Sequence, residues 1–87
     1  MASRARSIGK SLHSPEQAAF CELMIKARKT ARLTQQQLAK RIKKPQSFVA
    51  KYEGGERRID IIEFLMITSA IGTDPLKILR ELKRRKA

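Results

Sequence analysis

Apolar residues recur along this chain at helical spacing, in short blocks separated by proline, glycine and capping residues. The first block holds Phe20, Leu23, Met24 and Ala27, which fall on one stripe of a helix. Before it, Ser14-Pro15-Glu16 supplies an N-cap, a proline at the first helical position and an acid at the positive end of the helix dipole. A first helix is therefore predicted from Pro15 to about Ala31. In the second block Leu38, Ala39 and Ile42 share a face, and Thr34 with Gln37 makes a capping-box pattern. Lys43-Lys44-Pro45 breaks the pattern, because the residue before a proline is pushed out of the helical region. Pro45 suits the first turn of a third helix, where its missing N–H costs nothing. That helix is predicted to reach about Glu53 and to turn Val49 and Tyr52 inward. Gly54-Gly55 ends it, since glycine takes the left-handed conformation readily.

Two further helices follow. Asp60 with Glu63 repeats the capping-box signal and opens a helix over Ile61 to Ile71, with Phe64, Leu65 and Ile67 as core candidates. The Ile59-Asp60-Ile61-Ile62 run favours a strand by composition, but the caps around it argue helix. Gly72 stops this fourth helix. Asp74 and Pro75 start a fifth, in which Leu76, Leu79 and Leu82 continue one apolar face. Five helices and no strand predict an all-α, five-helix domain over residues 14–87. Residues 1–13 hold Arg4, Arg6 and Lys10 among small residues without periodicity, and read as a flexible basic arm. Such an arm either follows DNA phosphates or enters a minor groove, or is a plain disordered tail.

A chain of 87 residues makes one small domain with one modest core. Charge changes the picture more than size does. Twenty basic residues against eight acidic ones leave a net charge of +12, which points to a polyanionic partner: DNA, RNA or an anionic membrane surface. No apolar run approaches the roughly 20 residues of a spanning helix, and the basic N-terminus lacks the apolar segment of a signal peptide. The single cysteine, Cys21, fits a reducing compartment and is expected to be a buried, inert thiol. A cytoplasmic protein is expected. Catalysis has no support. His13 is the only histidine, no metal-ligand spacing or nucleophile–base pair is visible, and Gly54-Gly55 is a helix stop rather than a phosphate loop. No enzyme activity, metal or cofactor is expected.

The stretch Thr34 to Gly55 resembles the helix-turn-helix of the phage-repressor (Cro/C1, or XRE) family of DNA-binding proteins. The matching residues are small Ala39 at the helix crossing, Leu38 and Ile42 before the turn, Val49 and Tyr52 after it, and Glu53-Gly54 at the close. The similarity extends from Phe20 to about Leu79. Lys43 departs from the pattern, since the family usually has glycine in this turn, and a non-glycine left-handed residue costs about 1 kcal/mol. The resemblance implies a compact repressor-like fold and a brace between Arg28 of helix 1 and Glu53 of helix 3.

It also implies a geometry on DNA. An α-helix fits the major groove and meets base edges with its N-terminal residues. Those positions hold Gln46, Ser47, Ala50 and Lys51, the expected base readers. Gln pairs with adenine, Lys donates to guanine, and Ser serves either role. Gln35, at the N-terminus of helix 2, and Arg57 and Arg58, after helix 3, are the expected phosphate holders. Phe48 either packs on helix 2 or touches a thymine methyl. Lys83-Arg84-Arg85-Lys86 either suits the helix dipole or adds non-specific DNA affinity.

The primary expectation is a sequence-specific transcriptional regulator, a repressor of bacterial or phage origin. It would bind a pseudo-palindromic operator as a homodimer through helix 5 or the end of helix 4, motivated by Ile78 and Leu82. No separate ligand-sensing domain fits in the remaining residues, so a protein partner is a further possibility. Two rivals stay open: the antitoxin of a toxin–antitoxin pair, and a co-activator-like adaptor that bridges other proteins. A third, a non-specific RNA binder, is disfavoured by the lack of exposed aromatics.

Overall fold

Helices α1 (Pro15–Thr30), α2 (Gln35–Arg41), α3 (Gln46–Glu53), α4 (Ile61–Ile71) and α5 (Pro75–Lys86) follow one another along the chain. The computed structural model describes residues 14–86, among which there is no strand. The basic arm expected at 1–13 lies outside the described residues.

Side chains close most of the helix starts. Ser14 Oγ accepts from Gln17 N at 3.0 Å. Thr34 and Gln37 exchange hydrogen bonds of 3.0 and 2.9 Å, and Asp60 and Glu63 do so at 2.7 and 2.9 Å. Asp74 Oδ1 accepts from Leu76 N at 2.9 Å. These bonds satisfy amides that a helix start leaves without a carbonyl. α3 is different. Pro45 is its N-cap, with extended ψ of 155°, one position ahead of the first-turn place expected for it, and no side chain caps the helix.

The helix ends depend on left-handed residues. α1 stops at Thr30 with Ala31 as its C-cap, one residue short of the expected end. Arg32 then adopts φ 62°, which turns the chain so that Leu33 N reaches Arg28 O. Lys43 holds φ 57° in the turn between α2 and α3, where its strain lets Lys44 N bond Ala39 O at 3.0 Å. Gly55, at φ 81°, closes α3 by bringing Glu56 N back to Lys51 O.

One core joins all five helices. Met24, Leu38, Val49 and Ile67 are fully enclosed in it, and small Ala39 is buried where α2 packs on α3. Phe20 meets Phe64 with ring centroids 5.7 Å apart, tying α1 to α4. Two expected faces are rotated. Leu65 is 45% exposed rather than in the core, because α4 buries Phe64, Ile67 and Ile71. α5 docks on α1 through buried Ile78 and half-buried Leu82, four residues apart, which leaves Leu76 59% and Leu79 37% exposed.

Candidate nucleic-acid interface

The second helix of the turn presents Gln46, Ser47 and Lys51 to solvent, with Ala50 half-buried between them. A chain of hydrogen bonds reaches this surface from the core. Arg28 grips Glu53 with both ends of its guanidinium, Nε to Oε2 at 2.7 Å and Nη2 to Oε1 at 3.0 Å. Its Nη1 donates to Leu33 O at 2.8 Å. Glu53 Oε1 also accepts from Gln35 Nε2 at 2.9 Å, and Gln35 Oε1 accepts from Gln46 Nε2 at 3.3 Å.

The direction of this relay follows from chemistry. An ionised carboxylate only accepts, so Gln35 must turn its NH2 toward Glu53 and its oxygen toward Gln46. Gln46 must then offer N–H to Gln35, which leaves its Oε1 and one N–H for a base edge. Bonding to Glu53 raises the Arg28 guanidinium pKa against the opposing effect of burial. Gln35, expected only as a phosphate holder, thus joins the brace to Gln46, one of the expected base readers, and keeps one amide hydrogen over.

Across the same helix lies a second cluster. Phe48 is buried, its ring edge-on to Tyr52 at 5.6 Å, which favours core packing over contact with a thymine methyl. The Arg57 guanidinium covers the Phe48 ring at 4.7 Å, and Lys44 Nζ lies 5.5 Å from the ring centroid. Arg57 does not stand out into solvent as a lone cation. Its Nη1 and Nη2 pair with Glu63 Oε1 and Oε2 at 3.1 and 3.0 Å, and Nη1 also donates to Arg58 O at 2.9 Å. The bonds from Arg57 hold the Glu63 carboxyl below the usual carboxylate range, helped by the Asp60 backbone N–H and opposed by burial. Arg58 is exposed on the same connection.

Three participants escaped sequence reading. Glu63 carried a cap signal but none for Arg57, Lys44 read only as a turn residue, and Arg41 gave no signal for its 2.9 Å bond to Ala70 O. Cys21 is buried, its thiol donating to Tyr52 O at 3.2 Å; burial pushes its pKa up, away from the reactive thiolate. In the C-terminal basic cluster, Arg84 and Arg85 pair with Glu81, and Arg85 also with Glu22, so part of that charge is neutralised at home. Among the described residues no group of His, Cys, Asp and Glu could hold a metal ion, and no helix is long and apolar enough to cross a membrane.

A bihelical turn with exposed polar residues on its second helix, braced from behind by a buried ion pair, defines a helix-turn-helix DNA-binding protein. A helix-turn-helix family profile matches residues 24–78, and the chain belongs to the XRE (Cro/C1-type) family of DNA-binding regulators, which are not enzymes. The solved structure of an XRE-family like protein from Pseudomonas syringae pv. tomato str. DC3000 is similar over 92% of this chain and 98% of its own. The two are 41% identical in sequence and superpose with a TM-score of 0.80. No curated protein matches the chain.

Proposed function

We propose that this regulator is a sequence-specific repressor that inserts α3 into the major groove of a pseudo-palindromic operator and binds there as a homodimer. The observation that carries this reading is the relay from Arg28 through Glu53 and Gln35 to Gln46. A solvated surface glutamine has no need of a fixed orientation; a glutamine that pairs bidentately with adenine does. Ser47 and Lys51 add a hydroxyl and a cation on the same exposed helix, and Ala50 leaves room for close approach of the helix to the bases. The spare amide hydrogen of Gln35 and the Arg58 side chain hold phosphates on either side. Repression needs no further surface, because occupancy of a promoter excludes polymerase. A buried Cys21 with a raised pKa fits the reducing cytoplasm, where such DNA lies.

The exposed apolar residues bear on the dimer. Ile78 and Leu82, which motivated an α5 interface, are used in the protomer's own packing. Ile61, Ile62 and Leu65 at the start of α4 are 59%, 70% and 45% exposed. They follow directly on the connection that leaves α3, which makes them the proposed dimer contact.

Selection of bound sequences from a random duplex library tests the whole reading. An enriched inverted repeat, with half-sites about 34 Å apart, is the expected result. On that site Gln46→Ala should cost about 1–3 kcal/mol and relax discrimination at one base pair. Equal weakening of preferred and scrambled duplexes would take base reading away from Gln46. No enrichment at all would turn the reading toward an adaptor.

A further inference from the structure

We infer that Arg57 is a positioning residue: clamped by Glu63 and set over the Phe48 ring, it fixes the base-reading turn of α3 and sets discrimination rather than gripping phosphate. This rests on the reading that α3 reads bases.

The N-terminal turn of α3 is the one helix start among the described residues without a side-chain cap. Ser14, Thr34, Asp60 and Asp74 cap their helices with side-chain oxygens, whereas Pro45 caps α3 with none. Yet this turn carries Gln46 and Ser47. Besides the bond from Gln46 to Gln35, what restrains it is Phe48, the next residue. The Phe48 and Tyr52 rings meet in a T-shaped contact, and the Arg57 guanidinium lies over the Phe48 ring at 4.7 Å. Arg57 comes from the connection beyond the far end of α3, and Glu63 belongs to the first turn of α4. The clamp therefore joins both ends of the recognition helix to a neighbouring helix. Glu63 is itself fixed, since its Oε1 accepts from Asp60 N at 2.9 Å in the capping box.

The same contacts argue against a simple phosphate role. Salt dependence comes from counterions released when cations neutralise phosphates. Glu63, 3.0 Å from Arg57 Nη2, already serves as the counterion of this guanidinium. Arg57, whose side chain is 42% exposed, would have to give up part of this pairing to hold a phosphate. Its plane is what matters: a guanidinium stacks flat on a ring and forks onto a carboxylate, and an ammonium does neither.

The test compares wild type, Arg57→Ala, Arg57→Lys, Glu63→Gln and Arg58→Ala. Each full-length protein, confirmed folded by circular dichroism, is titrated against the preferred duplex and a duplex changed at one base pair, at several salt concentrations. Arg57→Ala should shrink the preference between duplexes by about tenfold, within the range that one base contact supplies, and leave the salt slope unchanged. Arg57→Lys should fail to restore the preference although it keeps the charge. Glu63→Gln should lose preference too; the ratio between duplexes cancels its gain in net charge. Arg58→Ala should keep the preference and lower the slope by about one unit. The inference is overturned if Arg57→Ala weakens both duplexes equally and flattens the slope, or if Arg57→Lys behaves as wild type. A wild-type protein without any preference would remove the base-reading proposal as well; a wild-type preference that survives in Arg57→Ala removes only this one.

Discussion

Arg28 and Glu53 are charges kept where water is scarce, with side chains 10% and 3% exposed. In such a place the attraction between two charges is largely offset by the cost of removing both from water. The pair contributes most visibly when one half is lost. Arg28→Ala would leave the Glu53 carboxylate with Gln35 and withdraw the donor from Leu33 O. The expected loss is about 3 kcal/mol, the lower end for breaking a buried pair, against a total of about 5 kcal/mol for so small a domain. A urea melt followed by circular dichroism measures it; a loss under about 0.5 kcal/mol, typical of exposed pairs, would contradict this account. Replacing both residues, Arg28→Met with Glu53→Leu, should lose less than Arg28→Ala alone, because no charge is then left buried and unpaired. The double variant would still lack the carboxylate that turns Gln35, and through it Gln46. Stability and base reading should therefore separate in it.

At the scale of elements, one carboxylate serves two purposes. Glu63 closes the capping box of α4 and holds Arg57 across from α3. Its pKa is depressed, first by the hydrogen bonds from Arg57, then by the Asp60 N–H and the nearby cations of Arg57 and Lys44. A group whose folded pKa is depressed contributes stability that is fully present above its unfolded pKa, near 4.3 for Glu, and lost as pH falls through the folded value. Wild type should therefore melt above Glu63→Gln at pH 7, and the gap should close as pH drops below about 4. A gap that stays constant down to pH 3 would mean that the carboxylate charge does not matter. The capping half of this arrangement was legible in the sequence, and so were Thr34 with Gln37, because caps are local: donor and acceptor lie three residues apart. The Arg28–Glu53 brace, 25 residues apart, came only through family resemblance. The clamp on Arg57 was not legible, since its ring and its carboxylate sit on two different helices. The rotated faces have a similar cause. α4 and α5 carry apolar residues on more than one side, so periodicity alone does not choose Phe64 and Ile67 over Leu65, or Ile78 over Leu76 and Leu79.

For the molecule as a whole, charge and exposed apolar surface pull in opposite directions. Two copies at +12 each repel in free solution. Ile61, Ile62 and Leu65 meanwhile offer apolar surface that a single protomer leaves in water. In the proposed dimer DNA would resolve the conflict, because its phosphates would neutralise the like charges of two copies bound side by side. Association is therefore expected on the operator more than off it. Sedimentation should find mostly monomer in free protein at low salt, and binding to an inverted repeat should be cooperative. Ile62→Ser with Leu65→Ser should remove the cooperativity and leave the affinity for an isolated half-site unchanged. The fold should survive that change, since substitutions at such exposed positions usually shift stability by about 0.5 kcal/mol or less. Serine rather than glutamate is the right replacement, because an added negative charge would by itself weaken every contact with DNA. Cooperativity that persists in the double variant would move the interface to the exposed Leu76 and Leu79 of α5. A strictly one-to-one complex of wild type on a palindromic site would end the dimer proposal, leaving one short helix to supply all the specificity.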